Sequence, residues 1–483
     1  MSSINVDSDK EILYKDANGR EPRSKAFILC FIGITVLMVG VGVLIGVGVY
    51  IAIDRYQGET SVDLSCSPPT PCLYTLVESM PENLTYNAGD PSHPSTYSGI
   101  RDILGMAKET IEIASFYWTI RGDDLPVKDP TSWEGEQLFK DLLFAGQEKG
   151  IKIRIVQSYS KTPINDTLIL AKEAGAEVRS LDLTKLLKSG ILHTKMWLVD
   201  RKHFYLGSAN LDWRSFTQVK EMGTIVKQCD CLAQDIGKIF DAYWYLATPT
   251  STFPVTWPSQ YNTMYNEQNP MVVNFNGTNY YTFISSSPPP ICPTGRSQDG
   301  ATIVNIINSA RTFVYVAVMD YFPTTQFKYP RKYWPDIDDA LRSAAFNKYV
   351  TVRLLFSYWN NTWDEMFVYM RSLQDLKMKN EYVNIEIDVK LFVVPAFTDA
   401  QKKIPFARVN HNKYMVTDKS AYIGTSNWSG DYFLTTAGIG IVVNGSSHDN
   451  SSDIRQQLED VFIRDWNSKY TFPLDHFNVT NIA

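Results

Sequence analysis

Hydrophobic and polar positions along the chain fall into three successive patterns. From Ala26 to Ile53 no charged residue occurs over 28 positions. As a helix that run would be about 42 Å long, more than the roughly 30 Å of a hydrocarbon core, so it predicts one transmembrane helix. Beyond it the periods shorten. Ile111-Glu112-Ile113-Ala114-Ser115-Phe116-Tyr117-Trp118 reads as an apolar strand ending in aromatics, Gly135–Lys149 as an amphipathic helix, and Ile151–Val156 as an alternating strand. The same order then returns: Phe313–Phe322, Ile337–Asn347 and Val350–Phe356. Strands alternating with helices predict an α/β body of mixed sheets flanked by helices, here built twice. Residues 246–300, rich in Pro, Asn, Tyr and Ser, read as a surface-packed connector.

The predicted organisation is therefore a tail (1–25), a span (26–53), a stalk (54–75), a first lobe (76–245), the connector (246–300), a second lobe (301–470) and a C-terminal tail (471–483). Lys10, Lys15, Arg20, Arg23 and Lys25 precede the span, whereas Arg55 is the only early cation after it. The positive-inside bias puts the tail in the cytosol and the rest in a lumen or outside. The run is about twice the length of a signal-peptide core and lacks a convincing cleavage site.

With 44% hydrophobic residues among 483, a disordered chain is excluded. A net charge of −6 excludes a basic field that would hold duplex nucleic acid along the whole chain. Glycosylation sequons at Asn83, Asn165, Asn276, Asn360, Asn444, Asn450 and Asn478 all follow the span, which agrees with a luminal body. An eighth, at Asn427, falls inside a chemical motif and is expected to stay unmodified. Cys66, Cys72, Cys229 and Cys231 form two close pairs. Two disulfides tying the stalk to the 229–231 segment are the economical reading; a zinc site is the alternative, disfavoured by the spacing and by an oxidising lumen.

The chemistry lies in a repeated string. His193-Thr194-Lys195 with Asp200 is followed by Gly207-Ser208-Ala209-Asn210, and His411-Asn412-Lys413 with Asp418 by Gly424-Thr425-Ser426-Asn427. One His-x-Lys-x4-Asp would arise by chance on the order of 0.02 times in this chain, so two in the same setting are no accident. Residues two apart on a strand share a face, so each His projects with its Lys. Brought face to face by pseudo-twofold packing, the half-sites supply two imidazoles, two ammonium groups and two amides. Lys195, Lys413, Asn210 and Asn427 suit a phosphate, and two imidazoles can divide nucleophilic attack from proton transfer. No metal or other cofactor is expected.

These motifs, with Ser115–Trp118, His203–Asn210, Asp212–Ser215 and the run Ala407–Gly430, resemble the phospholipase D superfamily and its endolysosomal single-span branch, members three and four. The resemblance implies two pseudo-twofold-related phospholipase D-like α-β-α lobes behind the membrane helix. It implies a type II glycoprotein passing from endoplasmic reticulum and Golgi to late endosome or lysosome, and a 5′ exonuclease on single-stranded DNA and RNA. It carries over a catalytic set of His193, Lys195, Asp200, His411, Lys413, Asp418 and Glu221. His193 would be the nucleophile, His411 the acid and base, and Glu221 the carboxylate orienting the first histidine, with Asp200 and Asp418 turned away from the phosphate. Thr435 and Thr436 would stand where the second copy lacks its carboxylate. Dimerisation through the body is implied by resemblance alone. Phe116, Tyr117, Trp118, Tyr321 and Phe322 are candidates for stacking bases. A phospholipid phosphodiesterase or transphosphatidylase could use the same histidines, but no apolar rim loop is evident. Intact His-x-Lys pairs in both copies disfavour a non-catalytic membrane glycoprotein.

Overall fold

A computed structural model describes the backbone of residues 65–66 and residues 71–445 and 453–477. The expected span at 26–53, its flanks, the Cys66 side chain, Asn450 and Asn478 lie outside the described residues. Among those described, no helix is long and apolar enough to cross a membrane.

The first lobe is a mixed sheet of seven strands: β1 (Leu73–Ser79), β2 (Thr110–Ser115), β3 (Lys152–Ser158), β4 (Glu177–Leu181), β5 (Met196–Val199), β6 (His203–Gly207) and β7 (Glu221–Lys227), in the order β1-β7-β6-β5-β2-β3-β4. β2, β3 and β4 run parallel, as strands linked by helical crossovers must, and β5 runs antiparallel both to β2 and to its hairpin partner β6. The second sheet repeats this plan with β8 (Met271–Phe275), β9 (Thr278–Ser287), β10 (Phe313–Val318), β11 (Thr351–Ser357), β12 (Ile387–Phe392), β13 (Lys413–Thr417), β14 (Ser420–Gly424), β15 (Gly438–Asn444) and β16 (Thr471–Pro473). Its order is β8-β9-β15-β14-β13-β10-β11-β12-β16, with Ser65–Cys66 paired in parallel on the outer side of β8. The registers match between copies: Ile113 faces Ile155 and Trp197, and Val316 faces Leu354 and Met415.

Alternation on each strand divides the apolar side chains between two layers. In the first lobe Ile111, Ile113, Ile153 and Trp197 face outward onto helices α1 (Thr96–Gly105), α2 (Trp133–Gln147) and α3 (Asn165–Ala174). Ala114, Val156, Met196 and Leu198 face inward and join Ala317, Leu355, Tyr414 and Val416 of the second sheet in one core. Helices α4 (Asp230–Leu246) and α9 (Ile454–Trp466) close that central layer. Helices α5 (Asp299–Ser309), α6 (Asp336–Lys348) and α7 (Glu365–Gln374) cover the outer face of the second sheet; the short α8 (Gly430–Leu434) follows the second half-site.

Two expected boundaries move. The second half of the predicted connector is folded: β8 and β9 form a hairpin whose long strand pairs with β15, as β1 pairs with β7. Asn276 and Gly277 turn it with positive φ, the backbone that a tight hairpin requires. Similarly, β16 from the predicted C-terminal tail pairs with β12. Composition misled in both places because Asn, Ser and Pro are depleted in strands and read as loop, whereas β9 lies inside the sheet between β8 and β15 and β16 at its edge.

Cys72 and Cys229 are joined by a disulfide with Cα atoms 4.9 Å apart, and Cys231 is also disulfide-bonded. Asn83, Asn165, Asn276 and Asn360 are exposed and Asn444 is half-buried. The Asn276 amide is engaged with the Tyr74 backbone at 2.8 and 3.1 Å.

Candidate active site

The two half-sites meet through their backbones. His193 N–H donates to the Ala437 carbonyl at 2.8 Å, and His411 N–H donates to the Lys220 carbonyl at 2.8 Å. Ala437 and Lys220 return the exchange, donating to Ile191 and Val409 at 2.9 Å each. Each histidine-bearing segment is thus stitched to the strand entering β15 or β7 of the opposite lobe. Both rings open onto one cleft of about 630 Å³, with Asn210 and Asn427 in its lining.

The lysines lie beneath the histidines. Lys195 Nζ donates to the His193 carbonyl, and Lys413 Nζ to the His411 carbonyl at 2.9 Å. Both are buried, so burial holds Lys195 well below the ordinary lysine range, helped by Lys413, and brings Lys413 down to about 8. The Glu221 carboxylate opposes that fall for both lysines, and Asp320 opposes it for Lys413.

The histidines differ. His411 Nδ1 lies 2.8 Å from Glu221 Oε2, whose residue is fully buried. Burial lowers His411, and the carboxylate opposes that fall. His193 has no carboxylate: burial first, then Lys195, Lys413 and His411, hold it well below 6.5, opposed only by the Thr425 backbone. Glu221 therefore serves the second histidine, across the lobe boundary, and not the first as expected. Nor do Thr435 and Thr436 stand in for the missing carboxylate. Gly223 pairs with Gly207 and Gly440 with Gly424, each pair lying against a tyrosine, so the position matching Glu221 is Gly438. A Cβ there would meet Ser426 Oγ at 2.3 Å and Ser287 Oγ at 3.1 Å, leaving no room for a carboxylate.

The two aspartates of the motifs lie outside the cleft. Asp200 accepts from the backbone N–H groups of Lys108, Glu109 and Thr110 at 2.8–2.9 Å; Asp418 accepts from those of Arg311 and Thr312 at 2.9 and 3.2 Å. They brace the entries to β2 and β10 and do not belong in the catalytic set. Asn427 is buried and lines the cleft, but spends its amide protons on Asp320 Oδ2 at 3.1 Å and the Tyr432 hydroxyl at 3.3 Å. It is not the free phosphate donor expected.

Of the proposed stacking aromatics, Phe116 and Tyr117 line the cleft, whereas Trp118, Tyr321 and Phe322 are buried in packing. The rings of Phe116 and Tyr432 lie 5.5 and 5.0 Å from His193. At the mouth stand Phe327, Trp359, Trp363 and Phe406, an apolar rim that the sequence reading did not find. Asp320, Asp212 and Arg214 were also missed as cleft residues. Asp320 occupies the strand-end position that Tyr117 holds in the first copy, a substitution visible once the copies are aligned. Arg214 is paired with Asp212 and donates to the Pro405 carbonyl of the second lobe.

Comparison with known proteins agrees with this geometry. A family profile described as PLD3/4, PLD-like domain matches residues 87–397. The 5'-3' exonuclease PLD3 of Xenopus laevis is 50% identical over 424 residues, covering 87% of this chain and 85% of that one. Human 5'-3' exonuclease PLD3 is 46% identical, over 84% and 81%, and mouse 5'-3' exonuclease PLD4 is 44% identical, over 84% and 80%. Among solved structures, phosphatidylserine synthase of Haemophilus influenzae superposes with a TM-score of 0.51 at 11% identity, covering 79% of this chain and 86% of that one, a likeness of fold alone.

Proposed function

The chain belongs to the PLD3/4 group of PLD-like domains, and from that premise we propose that it is a metal-independent phosphodiesterase acting as a 5′ exonuclease on single-stranded DNA and RNA. The observation that carries the reading is the reciprocal stitching of His193 and His411 onto one cleft above two buried lysines.

Roles follow from the asymmetry. A nucleophile must be neutral, and His193, furthest below its ordinary range, keeps its lone pair in acid. An acid must hold a proton, and Glu221 favours the charged form of His411. With the 5′ nucleotide in the cleft, His193 attacks phosphorus, a P–N bond forms, the bond to O5′ of the next nucleotide breaks, and His411 Nε2 hands that oxygen its proton. His411 then takes a proton from water, whose oxygen attacks phosphorus as the P–N bond breaks. The products are a 3′-phosphonucleotide and a shortened 5′-hydroxyl strand. Lys195, Lys413 and Asn210 stabilise charge on the non-bridging oxygens through both steps.

The Cys72–Cys229 bridge and the exposed sequons support an oxidising lumen as the place of action, with residues 26–53 as the anchor. The test incubates the protein at about pH 5 with 5′-hydroxyl and 5′-phosphate oligonucleotides, alongside His193→Ala. Release of 3′-phosphonucleotides from the 5′-hydroxyl strand only, indifferent to chelator and lost in the variant, is expected. Activity surviving the substitution, or cuts within the strand, would overturn it.

A further inference from the structure

Three carboxylates line the cleft: Glu221, Asp212 and Asp320. Two are matched to cations. Glu221 is bonded to His411, and Asp212 is paired with Arg214 and accepts from Tyr117. Asp320 is not. It follows β10, is 8% exposed at the cleft, and receives the Asn427 amide at 3.1 Å; no cation lies within ion-pair distance among the described residues. Lys413 on β13 is the charged group that acts on it, and it acts in turn on the Tyr432 hydroxyl of α8. His193, His411 and Glu221 share the same cleft, with Lys195 beneath. A carboxylate in an anion-binding cleft works against the ligand there. Asn427, at a position expected to grip the phosphate, instead holds that carboxylate in place.

We propose that Asp320 sets the charge specificity of the cleft, admitting the singly charged phosphodiester and disfavouring a doubly charged phosphomonoester at the same position. This rests on the phosphodiesterase reading above. The Coulomb penalty scales with ligand charge, so a dianion is opposed twice as strongly as a monoanion. The substrate carries one charge on its scissile phosphate, and the product 3′-phosphate gains a second as it ionises. Toward neutral pH Asp320 thereby weakens retention of the product in the pocket that formed it, and at the pH of about 5 used for turnover the effect is small. Burial pushes Asp320 up to about 6, so the opposition is present above that pH and fades below it.

The test measures binding, not turnover, by calorimetry on the full chain with inorganic phosphate and with dimethyl phosphate, which stays a monoanion. Asp320→Asn removes the charge yet keeps an acceptor for Asn427, and Asp320→Glu keeps the charge. At about pH 7.5 the Asn variant is expected to bind phosphate about tenfold more tightly than the native protein, and dimethyl phosphate only about threefold more tightly. The Glu variant should behave as native, and at about pH 5 the gap for phosphate should close. Equal gains for both anions, or no gain for phosphate at pH 7.5, would overturn the inference while leaving the phosphate pocket standing. If no form of the protein binds either anion, the pocket reading fails and this inference falls with it.

Discussion

At the scale of single residues, the Glu221–His411 pair decides how two histidines from equivalent motifs come to differ. A carboxylate 28 residues after His193 was legible in the sequence, but the ring it serves was not. Spacing along the chain suggests a partner in the same lobe. The backbone exchange instead sets Lys220 against His411, and the next side chain lands on that ring. Glu221→Gln keeps an oxygen for Nδ1 and removes the charge that favours the imidazolium. General acid catalysis contributes about 10²–10⁴-fold, so kcat should fall within that range with KM little changed. The sign on pH is fixed: losing Glu221 lowers His411, and the basic limb of the kcat profile, which reports loss of the acid's proton, moves to lower pH. A basic limb that stays in place would assign that proton to another group. Asp200 makes the opposite case. It sits in the motif, yet its oxygens are spent on three backbone amides, so Asp200→Ala should cost about 1–3 kcal/mol of stability and leave KM for the substrate unmoved. A denaturant melt read beside steady-state kinetics separates these outcomes.

At the scale of elements, the strand and helix periods carried most of the fold, because each strand faces apolar layers on both sides and so reads as a clear apolar run. Duplication supplied the rest: a pattern too weak to trust once became firm when it returned in order. What stayed hidden were β8, β9 and β16, strands whose Asn, Ser and Pro content looks like loop. The register of β9 explains a further buried acid. Asp299, the first residue of α5, accepts from Ser285 of β9 at 2.7 Å and from Tyr422 of β14 at 2.9 Å, pinning the helix to both strands. Burial raises it to about 6. A carboxyl raised above its unfolded value near 3.9 contributes stability in acid that is lost as pH climbs through 6, here about 2 kcal/mol between pH 4.5 and 7.5. Asp299→Asn keeps the oxygen that both hydroxyls use and removes the titration. Its melting temperature should therefore change less than that of the native protein across this interval. Parallel curves for the two would show that Asp299 does not titrate in this range.

At the scale of the whole molecule, the two lobes build a site whose charge is deep and whose mouth is aromatic. The lysines are fully buried under the histidines, while Phe327 and Phe406 stand 56% and 67% exposed at the rim. Phe327 lies 6.0 Å from Trp363 and Phe406 lies 6.4 Å from Trp359, ring to ring. Large exposed aromatics in pairs are not explained by core packing, and Phe406 holds its place with φ at +53°, a backbone a bulky residue adopts only where its surroundings insist. A strand entering such a mouth gains affinity from base faces, and from charge only at the one or two phosphates that reach the lysines. Stacking is worth about 1–3 kcal/mol per base. Trp359→Ala with Phe406→Ala should therefore raise KM for an oligonucleotide by about 5- to 150-fold while leaving hydrolysis of a small chromogenic phosphodiester unchanged. Salt provides the second readout. Neutralising one or two phosphates of a single strand gives a slope of about −0.7 to −1.4 for the logarithm of affinity against that of salt concentration. A chain of net charge −6 has no overall basic field to steepen it. A steep slope that survives the double substitution would mean that the strand is held along a basic track elsewhere on the body, and the mouth would lose its part in recognition.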